Sequence, residues 1–500
     1  MVNQRPMFAN LTVGFRQVLH RLRYLKAVAL LLIHFHSVSQ SVCFDQIYNI
    51  IPWEGCGGQG IRTADFNNDG NTDIAQTKRD DPLNVFCDWG VSIILGNGDG
   101  TFQEPLTYLV PSNHWYLDVA DFNEDGNIDI ATSGISTDTA IPGHVVSILF
   151  GNGDGTLQNS VIISVPNGDK GKIYSHDLND DGHADLIICH FWGKYVSIML
   201  GDGTGSFTIT TFYGGREIVD AAVADFNEDG HKDLIVSGEY IDSVYVLFGD
   251  GLGDFGNRLP IYTGIPGVPT YHNNPWGVTA ADFDGDGHAD FALGLHGKFP
   301  EDHDSIGIWL GKGDGTFHQP FRLDANARIY QLKTVDINRD SIPDIVAQNG
   351  YSAWLSIYLG RGDGTFDFAG KWGGGGYGPM DTADFNNDGW LDAVSAALYM
   401  NCSGGTFIES PDADEALLLT VLPNPASSFV AVELRDYGSG LTSSLSLSIY
   451  NALGAHIKEV PVTDSRSSID VSDLPAGLYF IELCDQKHAL ATAKLMIIRE

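Results

Sequence analysis

Basic residues are scarce in this chain, which has 28 lysines and arginines against 64 aspartates and glutamates. The formal net charge is −36, and no basic cluster occurs after the first 26 residues. A surface of this sign repels phosphate groups, so the composition excludes a nucleic-acid partner. The acidic excess indicates either a solvating surface or bound cations, and the spacing of the acids distinguishes the two.

Long segments with helical apolar periodicity are also scarce, whereas 59 glycines are spread through the sequence. Short strand-like runs joined by glycine-rich turns predict an all-β protein. The 500 residues exceed what one hydrophobic core usually serves, so we expect more than one unit, or one large repeat-built unit plus a smaller one.

Catalytic motifs are missing as well. The sequence contains no nucleophile elbow, zincin helix or phosphate-binding loop, and its Gly-x-Gly runs lie in predicted hairpins. The six cysteines match no zinc-binding spacing. Cys43, Cys56 and Cys87 are the nearest candidates for disulfides, but six cysteines allow about 15 connectivities. Cys189 and Cys484 lie in strand-like runs and are predicted to be buried thiols.

Residues 1–39 have the composition of a secretory signal peptide. Arg16, Arg21, Arg23 and Lys26 precede an apolar run at 27–33, and small residues follow at 37–39. The run is shorter than the roughly 20 residues that a membrane-spanning helix needs. We therefore expect export with cleavage near Ser39. A buried N-terminal helix is the alternative, because His34 and His36 interrupt the apolar region.

One nonapeptide organises the chain. It recurs at intervals of 56, 56, 48, 57, 54 and 48 residues. The copies are DFNNDGNTD from Asp65, DFNEDGNID from Asp121, DLNDDGHAD from Asp177, DFNEDGHKD from Asp225, DFDGDGHAD from Asp282, DINRDSIPD from Asp336 and DFNNDGWLD from Asp384. A repeat period of about 50 residues is typical of propeller blades or of a solenoid.

A glycine-rich octet follows each nonapeptide, as in LGNGDGTF at Leu95, and the seventh copy has decayed to CSGGTF at Cys402. Each unit then divides into four strands, a to d, with the nonapeptide between a and b and the octet between c and d. This pattern predicts a seven-bladed β-propeller over residues 40–408, with an open β-solenoid as the alternative. The seventh unit is short, so a strand from Cys43 to Ile50 is expected to complete it.

The nonapeptide places several hard oxygen donors on one tight loop. Such donors suit Ca²⁺ better than zinc or copper, and the glycine at position 6 allows a positive φ. Position 12 is never Glu, so these loops are not EF-hands. We expect up to seven Ca²⁺ ions, with these candidate ligands: Asp65, Asn67, Asp69, Asn71, Asp73; Asp121, Asn123, Asp125, Asn127, Asp129; Asp177, Asn179, Asp181, His183, Asp185; Asp225, Asn227, Asp229, His231, Asp233; Asp282, Asp284, Asp286, His288, Asp290; Asp336, Asn338, Asp340, Asp344; and Asp384, Asn386, Asp388, Trp390, Asp392.

His183, His231 and His288 occupy position 7, where an EF-hand uses a backbone carbonyl, so we expect their imidazoles to be solvated rather than metal-bound. The ninth-position aspartate is expected to close the shell. The sixth copy has Ser341 in place of glycine and Pro343 at position 8, and we expect it to be the weakest site. Simple turn formation by Asp, Asn and Gly is the alternative interpretation.

The paired motifs DFNxDGxxD and LGxGDGTF resemble the FG-GAP/VCBS repeats of the integrin-α N-terminal propeller, from about Val42 to Ile408. In that family each calcium loop joins strands a and b of a blade. The resemblance implies the fold and calcium binding, and it says little about the ligand. The tripeptide Arg361-Gly362-Asp363 lies inside the sixth octet, where it is expected to be part of a turn rather than an adhesion ligand.

The tail, from about Leu418, resembles a type A C-terminal sorting domain of the type IX secretion system of Gram-negative bacteria. The motifs are LPNPASSFVAVEL at Leu422, LSIYNALGAHI at Leu447, IDVSDLPAGLYFIEL at Ile469 and KLMIIRE at Lys494. They alternate as in a small β-sandwich over 418–500, and residues 409–417 form an acidic linker. The resemblance implies contact with the secretion machinery, and release or attachment at the outer cell surface.

The face opposite the nonapeptides carries different residues. Its predicted loops hold the candidate ligand-binding side chains Trp115, Tyr271, His272, Trp276, Trp372 and Tyr377. Aromatic and amide groups suit a glycan or a protein loop, although packing between blades is the alternative. We therefore expect a monomeric, secreted or surface-bound binding and adhesion module rather than an enzyme. The alternative is a calcium-dependent polysaccharide lyase, using His272 with Lys298 or Tyr330 with Arg328.

Overall fold

The computed structural model describes most of the chain. The described residues are 42, 44–47, 57–78, 90–166, 171–191, 193–238, 243–263, 275–296, 304–325, 327–350, 354–373, 379–395, 397–401, 403, 418–422, 429–435, 445–451, 456–462, 466–485 and 488–497. The predicted signal peptide, the linker and Cys43, Cys56, Cys87 and Cys402 lie outside them. The described part contains two compact units, divided after Gly405.

All regular elements of the first unit are strands. They are β1 (Phe44–Ile47), β2 (Gly57–Ala64), β3 (Asp73–Lys78), β4 (Gly90–Ile94), β5 (Leu106–Leu109), β6 (Ser112–Ala120), β7 (Asp129–Ser136), β8 (His144–Leu149), β9 (Val161–Ser164), β10 (Gly171–His176), β11 (Asp185–His190), β12 (Tyr195–Gly201), β13 (Phe207–Tyr213) and β14 (Ile218–Ala224). They continue with β15 (Asp233–Gly238), β16 (Ser243–Phe248), β17 (Asn257–Tyr262), β18 (Pro275–Ala281), β19 (Asp290–Leu295), β20 (Ser305–Trp309), β21 (Phe321–Asp324), β22 (Ile329–Val335), β23 (Asp344–Asn349), β24 (Trp354–Gly360), β25 (Phe366–Gly373), β26 (Asp381–Ala383), β27 (Asp392–Val394) and β28 (Leu398–Asn401).

These strands form seven four-stranded antiparallel sheets within the described residues. Sheets 1 to 6 are β2–β5, β6–β9, β10–β13, β14–β17, β18–β21 and β22–β25, and sheet 7 has the order β1-β28-β27-β26. Strand β6 contacts β2 and β10, β18 contacts β14 and β22, and β26 of sheet 7 contacts β2, so β2, β6, β10, β14, β18, β22 and β26 are the inner strands. The predicted all-β propeller is confirmed.

The strand sequences reflect their depth in the sheets. The second strands, such as β11 with the sequence DLIICH, are buried along their whole length because a neighbouring sheet covers each face. The outermost strands alternate between partly buried and exposed positions, as β17 does from Asn257 to Tyr262. A continuous apolar run therefore marks the second strand, and alternation marks the rim.

Apolar clusters fill every gap between consecutive sheets. Sheets 1 and 2 share a cluster around Ile93 and Leu117, and the next five gaps each contain one of the same kind. Another cluster, with Ile61, Ile74 and Val394, joins sheet 7 to sheet 1. The sheets therefore close into a ring in which each packs on two neighbours.

Strand β1 completes the seventh sheet. It pairs antiparallel with β28, with Phe44 opposite Asn401 and Ile47 opposite Leu398. The closing strand expected between Cys43 and Ile50 is thus confirmed, with observed bounds of Phe44–Ile47. The first described strand and the last strand of the unit lie side by side, which leaves no gap in the ring.

Buried aspartates on the inner strands also link neighbouring sheets. Asp381 accepts hydrogen bonds from the Thr63 backbone N–H at 2.9 Å and from Lys333, and so joins sheet 7 to sheets 1 and 6. Burial alone would raise the pKa of Asp381, but Lys333 and Arg62 outweigh it and hold that pKa below its ordinary value. Asp118 similarly accepts from Arg62 and from the Ser175 N–H at 2.6 Å.

The second unit is a small sandwich of two sheets. One contains β29 (Leu418–Leu422), β30 (Phe429–Arg435) and, later in the chain, β33 (Arg466–Asp470). The other contains β31 (Leu445–Asn451), β32 (His456–Pro461), β34 (Gly477–Asp485) and β35 (His488–Ile497). Val430 and Ile469 of the first sheet pack with Leu447 and Ile481 of the second. Among the described residues, no helix with the length and apolarity needed to cross a membrane is found.

Removing the carboxylate of Asp381 is expected to destabilise the ring. Asp381→Ala leaves the Thr63 N–H and the Lys333 ammonium without their partner, which costs about 2 kcal/mol for a buried hydrogen-bonded charge. We expect a lower melting temperature (Tm) by calorimetry. The control is Asp367→Ala, which removes an ion pair with Arg361 whose side chains are both 56% exposed. Equal melting temperatures for the two variants would contradict a role for Asp381 in closure.

Candidate metal centres and the opposite face

Each nonapeptide winds into a loop between an inner strand and its second strand. In the first copy, Asp65 accepts the Asp69 N–H at 3.2 Å and the Gly70 N–H at 2.8 Å, and the side-chain oxygen of Asn67 accepts the Asp69 N–H at 3.1 Å. Gly70 has φ of 84°, so the predicted positive φ at position 6 is confirmed. These bonds tie positions 1, 3, 5 and 6 of the loop to one another.

The aspartate at position 9 is buried in every copy. Asp73 accepts the Phe66 N–H of its own loop at 2.8 Å and the Gly96 N–H of the following octet at 2.7 Å. The same residue in the fifth copy, Asp290, accepts from Phe283 at 2.7 Å and Gly311 at 2.6 Å. The ninth-position aspartates are 0% exposed; they are Asp73, Asp129, Asp185, Asp233, Asp290, Asp344 and Asp392. The repeat spacing identified this aspartate as important. Its role in joining the nonapeptide to the octet was not predicted from the sequence.

Burial leaves these carboxylates with uncompensated charge. It raises the pKa of Asp73 to about 6 and that of Asp392 to about 7, and the two backbone hydrogen bonds offset only part of the rise. The aspartates at positions 5 and 1 of the same loop raise the pKa further. A site with converging oxygens and excess negative charge is chemically suited to a hard cation.

The fifth loop carries the densest group of acids. Ligand oxygens of Asp282, Asp284 and Asp290 lie within 4.8 Å of one another, the one such cluster found among the described residues. Asp284 replaces the asparagine that the other copies have at position 3, which adds a carboxylate. Burial, followed by the nearby Asp286 and Asp282, raises the pKa of Asp284.

The sixth loop has the same geometry as the others despite its altered sequence. Ser341 adopts φ of 67°, and its N–H donates to Asp336 at 2.9 Å, as the glycine does elsewhere. Asp344 still accepts from Ile337 at 3.0 Å and from Gly360 at 2.8 Å. A positive φ at a residue other than glycine is strained. Weaker ion binding at this loop stays a prediction.

The side chain at position 4 contacts the next loop around the ring in five of the seven copies. The residue at position 4 has positive φ in all seven copies, for example 57° at Asn68 and 61° at Arg339. Asn68 donates to the side chain of Asn127 at 3.0 Å, and Asn387 donates to Asn71 at 2.9 Å. The guanidinium of Arg339 lies 5.6 Å from the ring centre of Trp390. Each partner occupies position 7 of the following loop, so position 7 side chains contact a neighbouring loop.

Two of the position 7 histidines, His183 and His288, also contact position 4 of the loop before them. The Nδ1 of His183 contacts Glu124, and the Nδ1 of His288 contacts Glu228. These pairs raise the pKa of both imidazoles, chiefly through the hydrogen bond to the glutamate. Sequence reasoning missed these contacts. The sequence signal for these contacts was that position 4 holds Asn, Gly or a charged residue in the seven copies.

The octet is a structural turn that contacts the nonapeptide of the preceding sheet. The Gly155 N–H donates to the Phe66 carbonyl at 3.0 Å, and the Gly364 N–H donates to the Phe283 carbonyl at 3.0 Å. Within the Arg-Gly-Asp copy, Asp363 accepts from the Thr365 N–H at 3.0 Å, and Arg361 donates to Asp367 at 2.7 Å. Both charged groups of the tripeptide therefore have partners inside their own hairpin.

Aromatic side chains gather at the other end of the inner strands. Inner strands β6, β18 and β22 each contain a register shift, where Trp115, Trp276 and Tyr330 lie. Trp276 contacts Tyr330 with ring centres 4.6 Å apart and Phe191 at 5.7 Å, and it stacks on His296 at 5.6 Å. Trp115, Trp276 and Tyr330 keep partly exposed side chains. The channel end opposite the nonapeptides is therefore lined by partly exposed aromatic rings.

Trp372, another predicted ligand-binding residue, is not brought to this cluster. Trp372 lies on the outermost strand β25 and packs edge-on against Phe44 with ring centres 5.3 Å apart, between sheets 6 and 7. Tyr271, His272 and Tyr377 lie outside the described residues. Cys189 is a buried free thiol, as predicted, and Cys484 lies in β34.

Two family models match the chain. One, described as an FG-GAP-like repeat, matches residues 65–132, 177–236, 225–293 and 336–395. The other, described as a secretion system C-terminal sorting domain, matches residues 420–499. Both resemblances inferred from the motifs are thereby confirmed. A search of curated proteins finds no match.

Solved structures with similar folds include a lectin and a biofilm matrix protein. An Agrocybe aegerita lectin, described as recognising non-reducing terminal N-acetylglucosamine, is 19% identical, with 63% of this chain and 80% of that chain covered and a TM-score of 0.43. The V. cholerae biofilm matrix protein Bap1 is 14% identical, with 77% and 67% covered and a TM-score of 0.33. With TM-scores this low, neither structure bears on the ligand of this chain.

Replacing a ninth-position aspartate by its amide is expected to destabilise even the metal-free protein. Asp290→Asn turns one acceptor oxygen into an NH₂ group that faces a backbone N–H, and the lost bond costs about 1 to 3 kcal/mol. The control, Asp314→Asn, changes an exposed octet residue that bonds to Thr316. Thermal unfolding of metal-free protein is the measurement. An unchanged Tm for Asp290→Asn would show that its backbone hydrogen bonds do not support the fold.

Proposed function

We propose that this chain, which carries FG-GAP-like repeats and a secretion system C-terminal sorting domain, is a calcium-stabilised binding module that acts outside the cell. The sorting domain indicates export by the type IX secretion system to the cell surface or the extracellular space. The propeller is the part that remains to bind a partner there, either a glycan or a protein.

Calcium is the proposed ion of the nonapeptide loops. The side chains at positions 1, 3, 5 and 9 and the carbonyl at position 7 would hold it. Its charge would neutralise the buried ninth-position carboxylate, whose raised pKa reflects burial and the two nearby aspartates. Seven such ions would also lower the self-repulsion of a chain with a formal charge of −36.

The contrast between the two ends of the inner strands supports a ligand site opposite the nonapeptides. At the nonapeptide end, side chains are engaged in contacts between loops, as Asn68 with Asn127 and Glu124 with His183. At the other end, Trp115, Trp276 and Tyr330 leave part of their aromatic surface open. Partly exposed aromatic rings with polar edges are common in binding sites.

A polysaccharide lyase is the second candidate function, because one observation favours it. Arg328 and Tyr330 lie together at the start of β22, next to His296. Burial and the charge of Arg328 lower the pKa of His296 to about 4. A phenol and a neutral imidazole beside an arginine are groups that abstract a proton near a carboxylate. His272 and Lys298, the other proposed pair, lie outside the described residues.

Calcium is expected to raise the Tm, and more strongly at about pH 7.5 than at about pH 5.5. The ninth-position pKa values are raised, so the metal-free fold is stabilised by protonation at low pH and loses that stability as the pH rises through about 6 to 7. Calcium needs the ionised form and replaces the proton. The measurement is the Tm of metal-free protein with and without added CaCl₂ at both pH values. The same Tm with and without calcium at the higher pH would contradict the assignment.

Binding at the aromatic end is tested by screening the full chain on a glycan array and a panel of surface proteins in calcium. For the ligand found, Trp115→Ala is expected to weaken binding about tenfold, the loss typical of one exposed aromatic contact. The control, Trp390→Ala, removes an aromatic ring from the nonapeptide loops. Equal losses for both variants would argue against this face. Release of unsaturated products from a polysaccharide would instead support the lyase.

A further inference from the structure

An aromatic and basic surface lies on the outer rim, where sheets 3 and 4 meet. We call it the tyrosine–arginine rim; it consists of Tyr195, Tyr213, Tyr245, Arg258 and Tyr262. Tyr195, Tyr213 and Tyr262 are 37%, 45% and 50% exposed, which is unusual for such large rings. None of these residues belongs to the nonapeptides or to the channel end.

Arg258 holds the rim together. Its guanidinium lies 4.6 Å from the ring centre of Tyr213 on sheet 3 and 5.5 Å from that of Tyr245 on sheet 4. Tyr213 also contacts Tyr195, with ring centres 6.3 Å apart. Among the described residues, Arg258 makes no salt bridge with a carboxylate. A guanidinium stacked on rings keeps its in-plane N–H donors available for a planar anion.

Two exposed basic side chains next to the rim, Lys194 and Arg216, add further positive charge. The Gly214 N–H donates to the Lys194 carbonyl at 3.0 Å, and Gly215 lies against the ring of Tyr245, so Lys194 and Arg216 flank the tyrosines. Both side chains are exposed. Glu217 is the one acid among the described residues of this stretch, and Arg216 lies 3.8 Å from it. Among the described residues of the rim and its flanks, Lys194, Arg216 and Arg258 outnumber Glu217, whereas in the whole chain acids outnumber bases 64 to 28.

We propose that the tyrosine–arginine rim binds an anionic polysaccharide. A sugar ring has an apolar face of C–H groups that stacks on a tyrosine, and a carboxylate or sulfate on that sugar pairs with Arg258, Lys194 or Arg216. An acidic protein segment would also match the charge. Protein partners, however, rely on anchors in enclosed, fully desolvated pockets, whereas the rings of Tyr195, Tyr213 and Tyr262 are exposed to solvent.

The rim is separate from the function proposed above, because it uses neither the calcium loops nor Trp115, Trp276 and Tyr330. Its failure would leave that proposal intact, and the reverse also holds. Export to the cell surface or beyond brings the rim into contact with extracellular polymers. With a net charge of −36, the remainder of the chain repels such a polymer, so binding depends on this local patch.

The test compares dextran sulfate with uncharged dextran of the same length, using immobilised full-length protein. We expect dextran sulfate to bind in a salt-sensitive manner and dextran not to bind. Arg258→Gln is expected to weaken binding about tenfold, as for one charge-assisted hydrogen bond. Tyr262→Ala is expected to weaken binding by a similar factor. Tyr262→Phe keeps the aromatic ring and is expected to bind dextran sulfate as the unaltered protein does.

The matched control is Lys371→Gln, which removes a cation that lies 5.3 Å from the ring centre of Trp354 on the rim of sheet 6. It is expected to leave binding unchanged, and unfolding curves verify that every variant is folded. Equal losses for Arg258→Gln and Lys371→Gln would overturn the proposal, since binding would then follow overall charge. Binding of poly-glutamate in place of dextran sulfate would overturn it in favour of an acidic protein partner.

Discussion

The buried carboxylate at the end of each nonapeptide determines how the sheets are joined. Asp290, for example, accepts one N–H from its own loop and one from the octet two strands later, and so fixes the start of the second strand relative to the turn after the third. The octet in turn donates to the nonapeptide of the sheet before it, as Gly155 does to Phe66. One side chain per repeat therefore holds a loop, a strand and a hairpin in register.

The same carboxylate is the main support for the proposal that the nonapeptide loops bind a cation. Two aspartates of sheet 7 show the difference that a partner makes. Asp381 is buried beside Lys333 and Arg62, and its pKa is held below the ordinary value. Asp392 is buried with aspartates as its charged neighbours, and its pKa rises to about 7. Lys333 and Arg62 thus neutralise the inner-strand acid Asp381, whereas the ninth-position Asp392 has only aspartates as charged neighbours.

Repetition made the fold and the loops predictable from the sequence. Seven copies of one spacing identified the residues that each loop requires, and the short seventh repeat indicated that a strand near Phe44 would complete it. Contacts between loops were not predictable, because they depend on residues in different repeats, such as Asn68 and Asn127. Trp372 was misleading for a related reason, since an aromatic residue beside a loop does not reveal whether its ring contacts solvent or Phe44. The Arg258 stack also joins two repeats, and sequence spacing gives no sign of it.

The pairing of β1 with β28 also bears on the order of folding. Phe44 must meet Asn401 before the ring is closed, and every other sheet of the propeller is built from strands that are consecutive in sequence. Six sheets can form from local hairpins, but the seventh needs contact between distant parts of the chain, which is entropically slow. The closed ring therefore cannot exist until the residues around Phe44 and those around Asn401 are both present and paired.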